Sequence, residues 1–495
     1  MVPGCSTFGS ATNPTDGGPD GSTTPPGVLD GSLRPSLNLE TRNVKVRRGA
    51  QVTLPFQVTP AGLKTTVAIQ PQIPGVAVLP ISIDQDGKGI ATLTVDRTTP
   101  TKTFTLSAVA IVEGVESLAV RVDVEVEGLP GDIDDSFGDM GRVEESASNF
   151  VVTSSVLMPD DGILLGGSDS VGAFVRRILP TGKVDQGFGV AGTCRFPQPY
   201  ATVGSSVDSV GRSEGVVLAG LRSATESSVF RIDGACQPKK LAAFGAEQVS
   251  VNYVGQRVAP NRIVVGGQTS GGLGTLAALD VTTGQIETGW GTSGRVTQAA
   301  GVMVDFVAGA TDIALMKVTD KAAVLFQYSD TGVLIRPRDV VLSTNTVFLG
   351  GALIGMVYHF ALFDLTDESM FLMRFDALAD KYDTFAPRVT GRSRQTTICR
   401  CLTQLADGLA VATTVPKERA KAGAPSVLVT KLSQTGELVE TFGVSGNVEA
   451  RVAPQSAQSS TPIAILKQKS GRIVVANSFV GLGNNQGVSL TRMWP

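Results

Sequence analysis

The residue type with the clearest chemistry in this chain is cysteine, which occurs five times. None of the five forms a C-x-x-C pair, the spacing typical of redox motifs and zinc sites. Cys194 and Cys236 lie within one copy of the repeat described below and can pair as a disulfide. Cys399 and Cys401 are two residues apart, so both would lie on the same side of a strand. Buried free thiols and disulfides are both compatible with this pattern.

Other patterns that carry chemistry are missing from the sequence. A single histidine, His359, is too little for a histidine metal site or a histidine-dependent triad. No G-x-S-x-G, H-E-x-x-H or phosphate-loop motif is present. Lys and Arg total 42 against 45 Asp and Glu, so there is no basic excess to neutralise a nucleic acid. We therefore predict no catalytic residues, no metal ligands and no cofactor.

Two further features have alternative explanations. Asp132, Asp134 and Asp135 could hold a cation, but a solvated linker turn is the favoured interpretation. His359 lies in an apolar run of 17 residues, 347–363, which could be read as a membrane span. The run contains three glycines and is shorter than the ~20 residues that a spanning helix needs. We expect it to form two strands, with His359 partly buried.

The N-terminal stretch Met1-Val2-Pro3-Gly4-Cys5 resembles the cleavage box of a bacterial lipoprotein, in which the cysteine is lipidated. The charged and apolar regions that precede such a box are not in the sequence, so Cys5 as an ordinary tail cysteine is the alternative. Residues 6–35 are dense in Gly, Pro, Ser, Thr and Asp and cannot bury a core. We predict a flexible tether for 1–35. The resemblance implies lipidation at Cys5 and, with Ser6 next to it, delivery to the outer membrane.

Residues 36–128 have the pattern of an antiparallel β-sandwich. Seven short runs alternate or nearly alternate between apolar and polar residues, with turn signals between them. The runs are Leu37–Glu40, Val44–Arg47, Val52–Phe56, Thr66–Ile69, Ala91–Val95, Phe104–Leu106 and Val120–Val126. The pattern resembles a bacterial immunoglobulin-like module, without the Cys…Trp…Cys core of antibody domains.

A repeat organises the rest of the chain, 129–495. An aromatic–glycine pair followed by Gly-x-Val recurs at roughly 50-residue intervals, which is typical of a repeat architecture. The clearest copies contain Phe137-Gly138, Phe188-Gly189, Trp290-Gly291 and Phe442-Gly443. Each copy has four short strands, and seven copies can be counted, so we predict a seven-bladed β-propeller of four-stranded blades. The last copy ends at the phase at which the first begins, so seven whole blades would close a ring with no leftover strand.

A cation or amide recurs on the fourth strand of most copies. The positions are Arg177, Arg231, Gln327, Arg374, Lys431 and Arg492. A ring of basic binding residues is one interpretation. We favour another, in which the fourth strand is the outer edge of a blade and its charges prevent edge-to-edge pairing.

The repeat motif resembles that of the delta-60 repeat family of bacterial β-propellers. It runs Ser136-Phe137-Gly138-x-x-Gly141-x-Val143, then an Asp-Gly turn, an apolar Ile-Leu-Leu-Gly-Gly strand, Phe-x-x-Arg-Ile and a Thr-Gly turn. The resemblance covers 131–495 and is best at 136–183 and 442–493. It implies the propeller fold and supplies no catalytic residues.

Together these features predict a non-enzymatic lipoprotein of the bacterial outer membrane or cell surface, with the periplasm as the alternative location. It would bind an envelope or surface protein, or a polysaccharide, through a propeller face, and would touch the membrane through its lipid alone. The alternative is a propeller enzyme resembling a polysaccharide lyase or glycosidase, with carboxylates at the central channel. Two or more carboxylates that converge there with raised pKa would favour the enzyme.

Overall fold

The structure is a computed structural model that describes residues 34–495 except 198–199, 201, 211–215, 224–225, 246–249, 260–261, 270–272, 301, 309–311, 319–322, 341–344, 355–356, 377–378, 380, 391–398, 422 and 483–484. Over these residues the chain is all-β. They include no helix of the length and apolarity that a membrane crossing requires. The described residues divide into two compact units, 34–99 with Thr103–Glu125 and Pro100–Lys102 with Val126–Pro495.

The first unit contains two antiparallel sheets. Its strands are β1 (Ser36–Leu39), β2 (Asn43–Arg47), β3 (Gln51–Thr59), β4 (Thr65–Gln70), β5 (Val76–Val78), β6 (Ser82–Ile83), β7 (Lys88–Val95), β8 (Thr103–Val112), β9 (Val115–Glu116) and β10 (Val120–Glu127). One sheet has the order β1-β3-β7-β5, with β6 beside β7. The other has the order β2-β10-β8-β4, with β9 beside β8. All seven predicted strands are present, and alternate residues such as Leu54, Phe56 and Leu93 form the core.

The second unit forms seven four-stranded antiparallel sheets within the described residues. The first strand of this unit along the chain, β11 (Arg142–Ser148), belongs to sheet 7. Sheet 1 is β12 (Val151–Leu157), β13 (Ile163–Asp169), β14 (Gly172–Ile178) and β15 (Thr193–Arg195); sheet 2 is β16 (Thr202–Val210), β17 (Val216–Arg222), β18 (Glu226–Ile232) and β19 (Pro238–Gly245). Sheet 3 is β20 (Ser250–Ala259), β21 (Arg262–Gln268), β22 (Leu273–Asp280) and β23 (Arg295–Ala300); sheet 4 is β24 (Val302–Ala308), β25 (Asp312–Val318), β26 (Ala323–Ser329) and β27 (Leu334–Val340).

Three more sheets complete the second unit. Sheet 5 is β28 (Thr346–Ile354), β29 (Val357–Asp364), β30 (Ser369–Asp376) and β31 (Lys381–Thr390); sheet 6 is β32 (Leu402–Gln404), β33 (Gly408–Val415), β34 (Ser426–Ser433) and β35 (Asn447–Arg451). Sheet 7 is β36 (Ser459–Lys467), β37 (Ile473–Val480), β38 (Asn485–Met493) and β11. The first strand of each sheet lies beside the first strand of the next, and β36 lies beside β12, so the order of the sheets is cyclic.

The sheets do not coincide with the copies of the sequence repeat, which corrects the prediction that each copy is one whole blade. The first strand of each copy is the outermost strand of the preceding sheet, because it pairs with the third strand of that sheet. In sheet 1, for example, β15 pairs with β14. Sheet 7 therefore takes its outermost strand, β11, from the start of the unit, where β11 pairs with β38 from Arg142 opposite Thr491 to Ser148 opposite Asn485. Within the described residues no strand of the unit is left over, but sheet 7 is completed by a strand from the first copy instead of consisting of one whole copy.

The same offset overturns the interpretation of the recurring cations as edge residues. Arg177, Arg231 and their counterparts lie on the third strand of each sheet, which is paired on both sides. Edge protection falls instead to the outermost strands. β19 begins Pro238-Lys239-Lys240 and β27 contains Arg336-Pro337, and proline and charge both hinder pairing with a further strand.

The aromatic–glycine motif is a tight hairpin turn at the start of the outermost strand. Asp139 N–H donates to Arg142 O at 2.7 Å, and Arg142 N–H donates back to Asp139 O at 3.1 Å. Met140 and Gly141, the two central residues, have φ of 44° and 86°, as a type I′ turn requires. A Cβ on Gly138 would lie 1.9 Å from Arg142 O, so this position must be glycine. The same φ pattern recurs at Ala191-Gly192, Ser293-Gly294 and Ser445-Gly446.

The two ends of the second unit complete one turn between them. In sheet 1 the third strand ends in a turn in which Gly182 N–H donates to Leu179 O at 2.8 Å. In sheet 7 the equivalent bond, at 2.9 Å, runs from Gly131 N–H to Trp494 O. Residues 129–135 thus continue the turn that 492–495 begin, and the last sheet has the same local geometry as the first.

Asp134 holds this junction together. Its carboxylate is fully buried, and Oδ2 lies 2.6 Å from Arg472 Nε and 2.8 Å from Arg492 Nε. Its Oδ1 accepts hydrogen bonds from the backbone N–H and the hydroxyl of Ser136 at 3.1 and 2.6 Å. The Arg492 guanidinium also donates to Pro180 O at 2.7 Å. The interpretation of Asp134 as part of a solvated linker turn is therefore wrong, because its charge is neutralised inside the fold.

We predict that Asp134→Asn destabilises the chain by about 3–5 kcal/mol, since it leaves two partly buried guanidinium groups without their counter-charge. The measurement is urea unfolding followed by circular dichroism. Asp139→Ala, on the exposed turn five residues away, is the control and should change the free energy of unfolding by about 0.5 kcal/mol or less. Equal losses in the two variants would contradict the role given to Asp134.

Candidate binding face

The sheets of the second unit present two ends with different connections. At one end, which we call the turn face, first strands turn into second strands and third strands lead into the aromatic–glycine motif. At the other end, the loop face, second strands turn into third strands and outermost strands lead to the next sheet. The antiparallel order of every sheet fixes this division.

Ion pairs on the turn face are built into the fold. Arg177 bridges Asp160 of one turn and Asp185 of the next at 2.6 and 3.1 Å. Lys431, whose side chain is 6% exposed, lies 2.9 Å from Asp407. Together with Arg472, Arg492 and Arg262, these cations have side chains that are 6–23% exposed. Of the recurring cations, Arg177, Lys431 and Arg492 therefore stabilise turns and are not open to solvent as a basic ring would be.

Ion pairs on the loop face leave their cations open to solvent. The pairs are Arg195–Asp169, Lys240–Glu226 and Arg419–Glu368, and the cation side chains are 36–43% exposed. Two guanidinium nitrogens of Arg195 donate hydrogen bonds to the Asp169 carboxylate, at 2.9 and 2.7 Å. Exposed pairs of this kind contribute at most ~1 kcal/mol to stability, so the fold does not depend on them.

The densest of these groups lies at the seam between sheets 1 and 2. Tyr200 OH donates to Glu226 Oε1 and lies 3.0 Å from Ser228 Oγ. Lys240 Nζ donates to the same carboxylate oxygen at 2.6 Å. The Tyr200 ring is buried, edge-on to Phe230 with the ring centroids 5.1 Å apart. We call Tyr200, Glu226, Ser228 and Lys240 the seam cluster.

The ionised state of these groups is supported by their hydrogen bonds. Hydrogen bonds from Lys240 and Tyr200 hold the pKa of Glu226 below its usual value, and the Glu226 carboxylate raises the pKa of Lys240. Hydrogen bonds from Arg195 likewise lower the pKa of Asp169. A general base works best with a pKa near the working pH. The hydrogen bonds therefore favour the ionised form of both carboxylates, the form that pairs with cations and hydrogen-bond donors.

A long loop crosses the same face at sheet 6. β33 and β34 are joined by ten residues, 416–425, which we call the strap, whereas β13 and β14 are joined by two. From the strap, Arg419 reaches Glu368 of sheet 5, and Lys417 Nζ donates to Gln455 O, on the way to sheet 7, at 3.4 Å. Lys421 N–H donates to Glu449 at 2.6 Å. Insertions positioned on a rigid scaffold are where binding residues concentrate.

The cysteines are placed in two pairs. A disulfide joins Cys194 on β15 to Cys236, which follows β18, and so links sheets 1 and 2 rather than two points of one sheet. A second disulfide joins Cys399 and Cys401, both buried, just before β32. Cys5, the predicted lipidation site, lies outside the described residues, as do residues 6–33 of the predicted tether.

His359 lies in neither face. It is on β29 and is 3% exposed, more deeply buried than expected, because 347–363 falls within the hairpin of β28 and β29 instead of a membrane span. Its Nδ1 lies 3.2 Å from Val357 O. Burial lowers the pKa of the imidazole, and nearby Arg374 adds to the effect.

Carboxylates with raised pKa are the signature expected of the enzyme alternative. In the part of the chain that the structure describes, the carboxyl group with a clearly raised pKa is Glu145, and burial is the cause. Glu145 lies on β11, the outermost strand of sheet 7, 3.0 Å from Arg176 of sheet 1. It is therefore not on one of the innermost strands. The described residues also contain no group of three or more His, Cys, Asp or Glu side chains arranged to hold a metal.

Neither the seam cluster nor the strap was predicted from the sequence. Tyr200, Glu226 and Lys240 are far apart along the chain, and no local motif connects them. The strap had a visible signal, because the third and fourth strands of the sixth copy are separated by a charged insertion that the other copies lack.

No protein-family model matches the chain, and no curated protein matches it. Among solved structures, the chain is similar to the apo form of prolyl oligopeptidase B from Galerina marginata, with a TM-score of 0.44 and 9% identity over 82% of this chain and 56% of that chain. It is also similar to a post-proline cleaving enzyme from Rickettsia typhi, with a TM-score of 0.34 and 8% identity over 68% of this chain and 50% of that chain.

A mutant of Synechocystis apocarotenoid oxygenase is a further similar structure, with a TM-score of 0.29 and 8% identity over 79% of this chain and 84% of that chain. The chain spans about half the length of the peptidases it matches, at 56% and 50%. Similarity this distant transfers no activity and no site residues to this chain.

We predict that the stability of the chain falls as the pH is lowered from 7 to 5. His359 has a folded-state pKa below its unfolded value, so unfolding takes up a proton and the neutral buried form stabilises the fold only above the unfolded pKa. Because the chain has one histidine, His359→Gln should flatten the pH dependence in this window. Urea unfolding at pH 7, 6 and 5 measures it, and an equal slope in both proteins would contradict the assignment.

Proposed function

We propose that this chain is a bacterial cell-envelope protein in which a seven-bladed β-propeller of the delta-60 type follows an immunoglobulin-like domain, and that it binds another envelope or surface protein through its loop face. It acts as a binding or scaffold module and not as an enzyme. A polysaccharide is the second class of ligand with which this face is compatible.

One observation carries the proposal. The loop-face cations of the ion pairs are 36–43% exposed, whereas those of the turn face are 6–23% exposed. The turn face thus uses these cations to join strands, and the loop face keeps its cations available to solvent within pre-formed ion pairs. Such surfaces give specificity and rapid association with a protein of complementary charge.

The propeller assignment is supported by the cyclic order of seven four-stranded sheets and by the repeated aromatic–glycine turn. The immunoglobulin-like assignment is supported by the two facing antiparallel sheets of the first unit. The position of Glu145 on an outermost strand, and the lowered pKa of Asp169 and Glu226, weigh against the enzyme alternative.

Location at the outer membrane or cell surface rests on the lipoprotein-like stretch that ends at Cys5. Two disulfides support it, because disulfides form and persist in oxidising compartments such as the bacterial periplasm. The lipid at Cys5 and the tether to residue 35 would hold the folded units away from the membrane.

We predict that photo-cross-linking residues on the loop face capture a partner on intact cells. Suitable sites are Val171 and Leu482, which are exposed in connections between second and third strands; Val190 and Val444, exposed on the turn face, are the matched controls. Adducts of one size from the loop face alone are expected. Equal labelling from both faces, or from the turn face alone, would refute the proposal.

We predict that charge reversal weakens this capture without unfolding the chain. The triple variant Arg195→Glu, Lys240→Glu, Arg419→Glu should lose most of the loop-face adduct, while its free energy of unfolding changes by no more than ~1 kcal/mol per pair. Lys183→Glu, an exposed cation on the turn face, is the control and should leave the adduct unchanged.

We predict that Cys5 takes up a radioactive fatty acid when the protein is made in its native envelope. The label should be absent from Cys5→Ala and present in Cys194→Ser, because only a thiol at the cleavage box is lipidated. An unlabelled wild-type protein would refute lipid anchoring and leave the loop-face proposal to the cross-linking result.

A further inference from the structure

Neighbouring sheets are joined by a contact that recurs around the second unit. At the seam of sheets 6 and 7, a Cβ on Gly131 would lie 2.5 Å from Val448 Cγ2 and 2.8 Å from Gly443 N, so this turn position must be glycine. Gly443 N–H donates across the seam to Pro130 O at 3.0 Å. The same hydrogen bond runs at 2.8 Å from Gly138 to Thr181 O, between sheets 7 and 1.

At the seam of sheets 1 and 2, both members of this contact are cysteines. Cys236 occupies the glycine position, with φ of 60° and an N–H that donates to Asp233 O at 3.1 Å, as Gly182 N–H donates to Leu179 O. Cys194 occupies the position of Val448, six residues after the motif's aromatic residue. The Cys236 sulfur lies where the glycine turn otherwise packs, 2.9 Å from the place a Cβ on Gly189 would take.

The two cysteines are attached to the elements that build the seam cluster. Cys194 lies on β15, from which the chain runs through Phe196 to Tyr200, and both of these rings pack on Phe230. Cys236 lies just after β18, which carries Glu226, Ser228 and Phe230. The disulfide therefore fixes one end of the seam whose other end holds the Tyr200 hydroxyl against the Glu226 carboxylate.

We infer that the Cys194–Cys236 disulfide takes the place of the valine–glycine contact seen at the seam of sheets 6 and 7 and acts as the positioning element of the seam cluster. The inference rests on the loop face as the proposed binding surface. Binding at this seam then depends on oxidation after export. Both thiols give up their protons and two electrons to a disulfide oxidant, whose own S–S bond opens to two thiols, and the Cys194–Cys236 bond forms.

The test compares two double variants of the full chain with the oxidised and reduced wild type. Cys194→Ser/Cys236→Ser removes the bond, and Cys194→Val/Cys236→Gly installs the pair found at Val448 and Gly131. Urea unfolding and hydrogen exchange of 226–232 are measured on all four. Cys399→Ser/Cys401→Ser identifies the part of the response to reductant that belongs to the second disulfide.

The serine pair and the reduced wild type should unfold with equilibrium constants raised on the order of a hundredfold. Exchange in 226–232 should be faster in both. The valine–glycine pair should recover most of the loss and be insensitive to reductant at this seam. A valine–glycine pair no better than the serine pair, or unchanged exchange at 226–232 in the serine pair, would overturn the inference.

The cross-link from Val171 is recorded on the same proteins, so the two proposals fail separately. The adduct should be weakened in the serine pair and restored in the valine–glycine pair. If unfolding and exchange behave as expected but the wild type gives no adduct, the binding face is refuted, and the role of the disulfide in the seam is retained. An adduct of equal yield in all variants would refute the positioning role.

Discussion

The second unit depends on one buried carboxylate, that of Asp134, held between the guanidinium groups of Arg472 and Arg492. A lone charge at this depth would be costly, so the three side chains stabilise the fold only as a set. They come from the two ends of the unit, and the backbone around them repeats the hydrogen bonds of the continuous turn in sheet 1. The junction is thereby made equivalent to any other turn, although no peptide bond crosses it.

The turn face and the loop face of the second unit make different kinds of contact. The turn face contains the positive-φ turns and the buried ion pairs, and each of these joins one strand or sheet to the next. Charges that are committed to such contacts cannot be exchanged for contacts with a partner. On the loop face the connections differ in length from sheet to sheet, as the strap illustrates, and such variation is typical of loops that bind ligands.

Much of the fold could be predicted from the sequence, because the aromatic–glycine motif and the apolar second strands have local signatures. The all-β class was confirmed, and the strand positions were close. The boundaries of the sheets could not be predicted from the repeat. Its period is the same whichever strand is taken as the first strand of a sheet. The burial of Asp134 depends on Arg472 and Arg492, more than three hundred residues away, so a cluster of aspartates looked like a linker. The contact between Tyr200 and Glu226 could not be predicted either, because no local motif connects the two residues.

The pairing of β11 with β38 also sets the order of events during synthesis. Residues 149–484 lie between these two strands, and at about 5–20 residues per second the ribosome needs roughly 20–70 seconds to make them. During that time β11 has no partner and exposes a free strand edge, the kind of surface that chaperones protect. Closure of sheet 7 is then a late step, although its loop-closure cost grows only slowly with the length of chain between the two strands.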